Sequence, residues 1–182
     1  MPMDTKQYIA DHLNALLKRM QLEDITVKAL VEDCQISRQT FYYHFQDLVD
    51  VIQWSIHQAL DRSLQKSLQA GSLEEAISIF VSGAAENRAL LKRLLDSPRR
   101  AQMEHLLIQA LQAYLTGLFE CQLDDSRLTA ADLRSLLCFC SYGITGLLLE
   151  ECRPDPESQK RLTRQICRLL SGQMQAEGRP QS

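Results

Sequence analysis

The run Thr26-Val27-Lys28-Ala29-Leu30-Val31-Glu32-Asp33-Cys34-Gln35-Ile36-Ser37-Arg38-Gln39-Thr40-Phe41-Tyr42-Tyr43-His44-Phe45 decides the fold. Thr26 and Ser37 are good helix-capping residues, because a hydroxyl there accepts from a backbone N–H that the first helical turn leaves unpaired. The run therefore reads as a short helix to about Asp33, a turn through Cys34, Gln35 and Ile36, and a second short helix ending near His44. Val27, Leu30 and Val31 face inward on the first helix. Phe41 and Phe45 lie four apart, so they share a face and anchor the second helix to its neighbours. The remaining Ser37, Arg38, Gln39, Thr40, Tyr42, Tyr43 and His44 carry too many hydrogen-bonding groups for a buried element. That is the layout of a helix-turn-helix, whose second helix enters the DNA major groove.

Arg38 and Gln39 are the best base readers on this helix. Arg pairs with guanine and Gln with adenine through two hydrogen bonds each, worth about 1–3 kcal/mol of discrimination. The bland alternative is an ordinary solvated helix face. Tyr42 and Tyr43 weigh against it, since exposing two aromatic rings for no purpose is costly.

Outward from this run the pattern stays helical. A helix over about residues 5–20 presents Ile9, Leu13, Leu16, Leu17 and Met20 as one stripe. After the run, Leu48, Ile52, Ile56, Leu60, Leu64 and Leu68 recur every four residues, which predicts a connector helix from Asp47 to about Ala70. Gly71 stops it, and Ser72 with Glu75 forms a capping box for a helix carrying Leu73, Ile77, Phe80 and Val81. A short helix over about 87–96 is broken by Ser97-Pro98. A long helix follows to about Cys121, then a loop over 124–128. Thr129 caps a helix to about Glu151, and Asp155-Pro156 starts the last one, bearing Leu162, Ile166, Leu169 and Leu170. The tail from about Gln175 frays. The expected architecture is all-α, with an N-terminal three-helix head over residues 1–46 and a helical body over 47–182.

Composition narrows the function. The chain has 182 residues, 45% hydrophobic and 24% charged, with few Gly and Pro to turn strands. No basic hydrophobic leader opens it. The longest uncharged stretch, 135–149, is too short to span a bilayer and contains Ser, Cys, Tyr, Gly and Thr, so it reads as a buried helix. A cytoplasmic protein with no membrane partner is expected. Of six cysteines, at positions 34, 121, 138, 140, 152 and 167, no two form Cys-x-x-Cys, and Cys138 and Cys140 point apart on a helix. They read as small buried side chains, with redox or thiol sensing as the alternative. His12, His57 and His105 are scattered, and no phosphate-cradling glycine loop or nucleophile–base arrangement is visible. Asp124-Asp125 and Glu150-Glu151 are merely adjacent pairs. No catalytic residue, metal or cofactor is expected, and the chain does not read as an enzyme.

Charge distribution counts against the DNA reading. Residues 1–60 hold five basic side chains (Lys6, Lys18, Arg19, Lys28, Arg38) against eight acidic ones (Asp4, Asp11, Glu23, Asp24, Glu32, Asp33, Asp47, Asp50), a balance of −3. Phosphate neutralisation normally supplies much of the affinity for DNA. Local geometry offsets this if the acids face away and helix N-termini face the backbone. The rival reading is a protein-interaction module, or a partner-dependent co-activator, with a degenerate DNA-binding head.

Thr26-Val27, the Ile36-Ser37-Arg38 turn and Phe41-Tyr42-Tyr43-His44-Phe45, with the helix before and the long helix after, resemble the TetR family of bacterial transcriptional regulators. The resemblance covers about residues 5–60, and the body looks like the branch that includes activators of dihydroxyacetone kinase operons. It implies an all-helical homodimer that binds double-stranded DNA through its first three helices. The body would take a small-molecule effector or a partner protein, and the last two long helices would form the dimer. Repression is the family default. By position, Thr26 and Lys28 would lie near phosphates. Ser37, Arg38, Gln39, Thr40 and Tyr42 would face DNA, and Tyr43 and His44 would touch its backbone.

Two positions depart from the family: Gln35 stands where Gly eases a left-handed backbone, and Gln46 and Leu48 where a Lys commonly meets phosphate. Family pockets lie between the middle helices, which makes Trp54, Phe80, Tyr114, Phe119, Phe139 and Tyr142 candidate lining residues, with plain core as the alternative. Gly143 and Gly146 each cost up to about 1 kcal/mol inside a helix, so they mark a close approach. Either a symmetry mate lies there, with Leu147, Leu162, Ile166 and Leu169 completing a four-helix interface, or the subunit packs tightly on itself.

Overall fold

Side-chain caps start most of the helices. The computed structural model describes residues 4–120 and 129–171. Within them α1 (Thr5–Leu17), α2 (Val27–Asp33), α3 (Arg38–His44), α4 (Leu48–Ser67), α5 (Leu73–Glu86), α6 (Arg88–Leu95), α7 (Arg100–Glu120), α8 (Ala130–Glu151) and α9 (Pro156–Leu170) follow in order, with no strand among the described residues. Asp4, Thr26, Ser37, Asp47, Ser72, Thr129 and Asp155 each accept from a backbone N–H of the first turn that follows. Backbone and side-chain hydrogen bonds from Ser158 hold the Asp155 carboxyl below its ordinary pKa. The capping box closes one residue early: Ser72 Oγ accepts from Glu75 N at 3.2 Å, while Glu75 Oε2 accepts from Gly71 N at 2.9 Å.

Two boundaries differ from expectation. α1 ends at Leu17, because a 3₁₀ turn over Leu22–Asp24 intervenes and carries Leu22 into the core. α4 ends at Ser67, with Ser67 buried between helices. The predicted loop over 124–128, Cys121 and the tail lie outside the described residues.

Two apolar clusters hold the chain. The first joins α1, α2, α3 and the start of α4 to Leu94 and Leu95 of α6 and Met103 and Leu106 of α7. It therefore draws on residues from both sides of position 46. The second joins α5, the far half of α7, α8 and α9, with Leu60 and Leu64 of α4 against it. α4 and α7 both run through the two clusters and couple head to body along their lengths. At the far end of α4 Ser67 Oγ lies 2.9 Å from Tyr114 Oη and donates to the Ala76 carbonyl at 3.0 Å, tying α4, α5 and α7. Burial pushes the Tyr114 phenol up to about 12, against the opposing pull of the Ser67 bond.

The turn between α2 and α3 is a Schellman motif. Ile36 N donates to Val31 O at 3.0 Å, and Gln35 N donates to Glu32 O at 3.2 Å. That pattern needs a left-handed residue at the second position past the helix, and Gln35 takes it with φ 54°. The departure from Gly thus leaves the turn intact and strained. A left-handed L-residue costs about 1–2 kcal/mol, partly offset in a Gly variant by greater freedom of the unfolded chain. Gln35→Gly is expected to raise unfolding stability by about 0.5–1 kcal/mol, read as a higher denaturant midpoint at unchanged slope.

The uncharged stretch is not the buried helix expected of it. α8 buries one stripe, Leu137, Cys140, Ser141, Ile144 and Thr145. Its other side exposes Leu136 (42%), Phe139 (75%) and Tyr142 (57%). An apolar run marks a surface that will be covered, but does not say from which chain. By length and hydropathy α8 is the one described helix that could cross a membrane. Its buried stripe is spent on α7 and α9 within the helical body.

Candidate nucleic-acid interface and effector cavity

α3 stands on the surface with its core side pinned and its polar side free. Phe41 is fully buried and Phe45 nearly so, their ring centroids 6.2 Å apart, and Phe45 meets Trp54 edge-on at 6.1 Å. Lys6 Nζ sits 5.4 Å from the Phe45 ring centroid, bringing α1 onto the end of α3. Outward, Ser37, Arg38 and Gln39 are exposed, Tyr42 is 58% exposed and Tyr43 84%. Thr40 and His44 are half-buried. Ser37 Oγ accepts from Thr40 N at 3.0 Å and lies 2.9 Å from Thr40 Oγ1, so these two hydroxyls hold the helix start. Arg38, Gln39, Tyr42 and Tyr43 are the side chains left reaching into solvent. Thr26 Oγ1 is occupied in the same way, accepting from Ala29 N at 3.1 Å.

Much of the acid surplus of the head is engaged in structure. Asp4 and Asp47 cap α1 and α4, and Asp50 Oδ2 accepts from Gln46 N at 3.0 Å. Asp33 Oδ2 lies 2.6 Å from His12 Nδ1, clamping α2 to α1, and Asp11 accepts from Gln7. Glu32 lies 3.9 Å from Lys28 Nζ on an exposed face. That contact partly occupies the lysine assigned to phosphate, although an exposed pair of this kind contributes only about 0.3–0.5 kcal/mol and is easily exchanged. No acidic residue occurs from Cys34 to Gln46, so α3 and its turn present only neutral and basic groups.

A cavity of about 190 Å³ lies behind the head. Its wall includes Asn14 and Leu17 of α1, Ser55, Ala59 and Ser63 of α4, and residues of α5, α6, α7 and α8. Of the six candidate lining residues only Phe80 is on this wall. Tyr114 is buried and stacks on Phe80 at 5.0 Å, Phe119 packs half-buried on the second cluster, and Trp54 belongs to the core of the head. Phe139 and Tyr142 do not line it, because they face outward on α8. Sequence reasoning looked for aromatics, whereas the space comes from small side chains. Ser55, Ala59 and Ser63 recur every four residues on α4 opposite Gly83, where a Cβ would meet Ser63 Oγ at 3.3 Å. That spacing was the available signal.

The glycines behave differently from a packed pair. Gly143 and Gly146 are exposed, and a Cβ on either would meet no atom within 4 Å, so tight packing within the subunit is not their role. Leu169 is 42% exposed, and Leu147 is half-buried. Leu162 and Ile166, assigned to the same outer face, are fully buried in the second cluster instead. The last helix turns that stripe inward onto α5 and leaves Leu169 outside. Among the described cysteines, burial pushes the Cys34 and Cys167 thiols up to about 11 and raises those of Cys140 and Cys152, which keeps them protonated and inert. Cys138 is exposed on α8. No group of three His, Cys, Asp or Glu side chains able to hold a metal occurs among the described residues.

No family model matches the sequence, and no curated protein matches it by sequence. Solved structures do match by shape. The dihydroxyacetone kinase operon activator DhaS aligns with a TM-score of 0.67 at 19% identity, over 94% of this chain and 97% of that one. AlkX, a TetR family repressor from Dietzia sp. implicated in biodegradation of n-alkanes, aligns at 0.60 and 14%, over 91% and 95%. A TetR-family regulator from Syntrophomonas wolfei aligns at 0.60 and 13%, over 98% and 100%. Over nearly its whole length, this chain has the all-helical fold of the TetR-family regulators.

Proposed function

We propose that the chain is a sequence-specific DNA-binding transcriptional regulator of the TetR type, acting in the cytoplasm as an effector-responsive homodimer, with repression as its default. The observation that carries this reading is α3: a helix pinned by Phe41 and Phe45 whose Arg38, Gln39, Tyr42 and Tyr43 reach solvent. Each α3 of a dimer enters one major groove, and the half-sites lie about one helical turn or somewhat more apart. Ser37, Thr40, Thr26, Lys28 and His44 sit at helix ends or beside the reading face, where backbone phosphates would lie.

The cavity supplies the switch. Its wall includes Asn14 and Leu17 from the head and residues from α5 to α8 of the body, so an occupant touches both. Arg62 of α4 donates to Gln7 of α1 at 3.4 Å across the same junction. A ligand that favours one setting of α1 on α4 changes the separation of the two reading helices, and duplex binding weakens ligand binding by the same factor.

The test is selection of bound duplex from a random pool, followed by titration of the selected sequence with wild type and Arg38→Ala. Losing one paired contact to a base is expected to weaken binding by about 10- to 100-fold and to flatten the preference at one position of each half-site. Equal affinity and unchanged preference in the variant would reject the assignment of Arg38. The acid surplus of the head favours a second reading, a partner-binding module that has lost DNA recognition. Failure of any duplex to be enriched at low salt would select it.

A further inference from the structure

A second cavity, of about 200 Å³, adjoins the first and shares Ala84, Leu91, Leu148 and Leu149 with it as a common wall. The two differ in chemistry. Aliphatic and small side chains dominate the wall of the first, whose one cation, Arg62, is turned to Gln7 at 3.4 Å. The second is lined by Arg88 and Lys92 of α6 and Arg100 of α7, with Asp96 its one acid. Arg100 Nε already pairs with Glu104 at 2.8 Å. Arg88 Nε donates 2.7 Å to the carbonyl of Cys152 at the end of α8, which fixes the guanidinium against the wall and leaves its charge unneutralised. Lys92 has no carboxylate within ion-pair distance among the described residues. Arg88, Lys92 and Arg100 are all exposed, so a cationic mouth open to solvent adjoins an apolar chamber.

We infer that the effector is an amphipathic monocarboxylate, with its apolar tail in the chamber behind the head and its carboxylate at Arg88 and Lys92. This rests on the reading of the first cavity as the effector site. An apolar protein cavity of about 150 Å³ holds benzene, so 190 Å³ fits a tail of about six to eight carbons. Carboxylate recognition follows from the two cations, because charge-assisted hydrogen bonds are roughly twice as strong as neutral ones. Leu91 and Leu148, at the boundary, would contact the tail near its head group and report occupancy to α6 and α8.

Calorimetric titration of the full chain without DNA tests this, using octanoate, 1-octanol, octylammonium and butyrate as probes. Octanoate is expected to bind at least about tenfold more tightly than octanol or butyrate, and octylammonium not at all. Lys92→Gln is expected to bring octanoate within about threefold of octanol while leaving octanol unchanged, since that side chain makes no ion pair among the described residues. Equal binding of octanoate and octanol, no octanoate binding, or octanoate binding unaffected by Lys92→Gln would each overturn the inference. No octanoate binding by a chain that still binds its selected duplex removes the ligand class alone. Octanoate binding by a chain that enriches no duplex removes the regulator reading alone.

Discussion

Replacing Phe139 with Asp is expected to convert the proposed homodimer into a monomer. Phe139 is 75% exposed, Tyr142 57%, and Leu136 and Leu169 each 42%, all on the outer side of α8 and α9. Gly143 and Gly146 leave bare backbone in the same stretch, with room for another helix to approach. Large exposed aromatics beside small residues are the composition of an interface core, where a few anchors carry most of the binding energy. Truncating such an anchor costs about 2–4 kcal/mol. A two-fold interface contains it twice, so the loss doubles to about 4–8 kcal/mol, or at least about a thousandfold in the dimer dissociation constant. A carboxylate buried at such an interface adds its desolvation cost to that loss. Helicity should be unchanged, since Phe139 contributes nothing to the core of its own subunit. Sedimentation equilibrium at micromolar concentration checks the result. A wild type that is itself monomeric, or a variant that stays dimeric, would reject the interface.

Phe41→Ala has the largest expected effect on stability of the head. Phe41 is fully buried, with its ring 5.3 Å from that of Tyr42 and 6.2 Å from that of Phe45. Removing a buried Phe side chain costs about 3–5 kcal/mol. That is a large part of the 5–15 kcal/mol or so that a whole domain has. The first cluster extends from α1 to Leu94, Leu95, Met103 and Leu106, so the damage is expected to reach the body as one cooperative loss. Chemical denaturation should show a lower midpoint for the whole signal. Phe41→Leu, which keeps most of the volume, should lose much less. A variant that loses under 1 kcal/mol by this measure would mean that α3 is not anchored through this ring.

The head was legible in the sequence because its signals are local. Thr26 and Ser37 cap the two helices they precede, and Phe41 and Phe45 pin the second, as their spacing requires. At Gln35 the departure from the family's Gly left local strain and a different turn both open, and its φ of 54° in a Schellman motif decides for strain. What escaped is everything that depends on partner choice. Leu162, Ile166 and Leu169 share one helical stripe in sequence, yet the first two pack inside and the third stays outside. Phe139 and Tyr142 sit in an apolar run and read as lining or core, while the structure turns them to the surface. Hydrophobic periodicity gives a buried direction but never the identity of what lies there. The cavity was hidden for a related reason. It exists where side chains are small, at Ser55, Ala59, Ser63 and Gly83, and an absence of volume leaves a faint mark in a sequence.

Titration of the selected duplex across a salt series tests most directly whether α3 is a DNA-reading helix. Wild-type affinity should fall as a straight line in log salt, by at least about tenfold between roughly 50 and 200 mM, with Arg38→Ala weaker throughout and less selective. If no duplex is bound even at low salt, Arg38, Gln39, Tyr42 and Tyr43 serve some other partner, and the chain is not a reader of DNA.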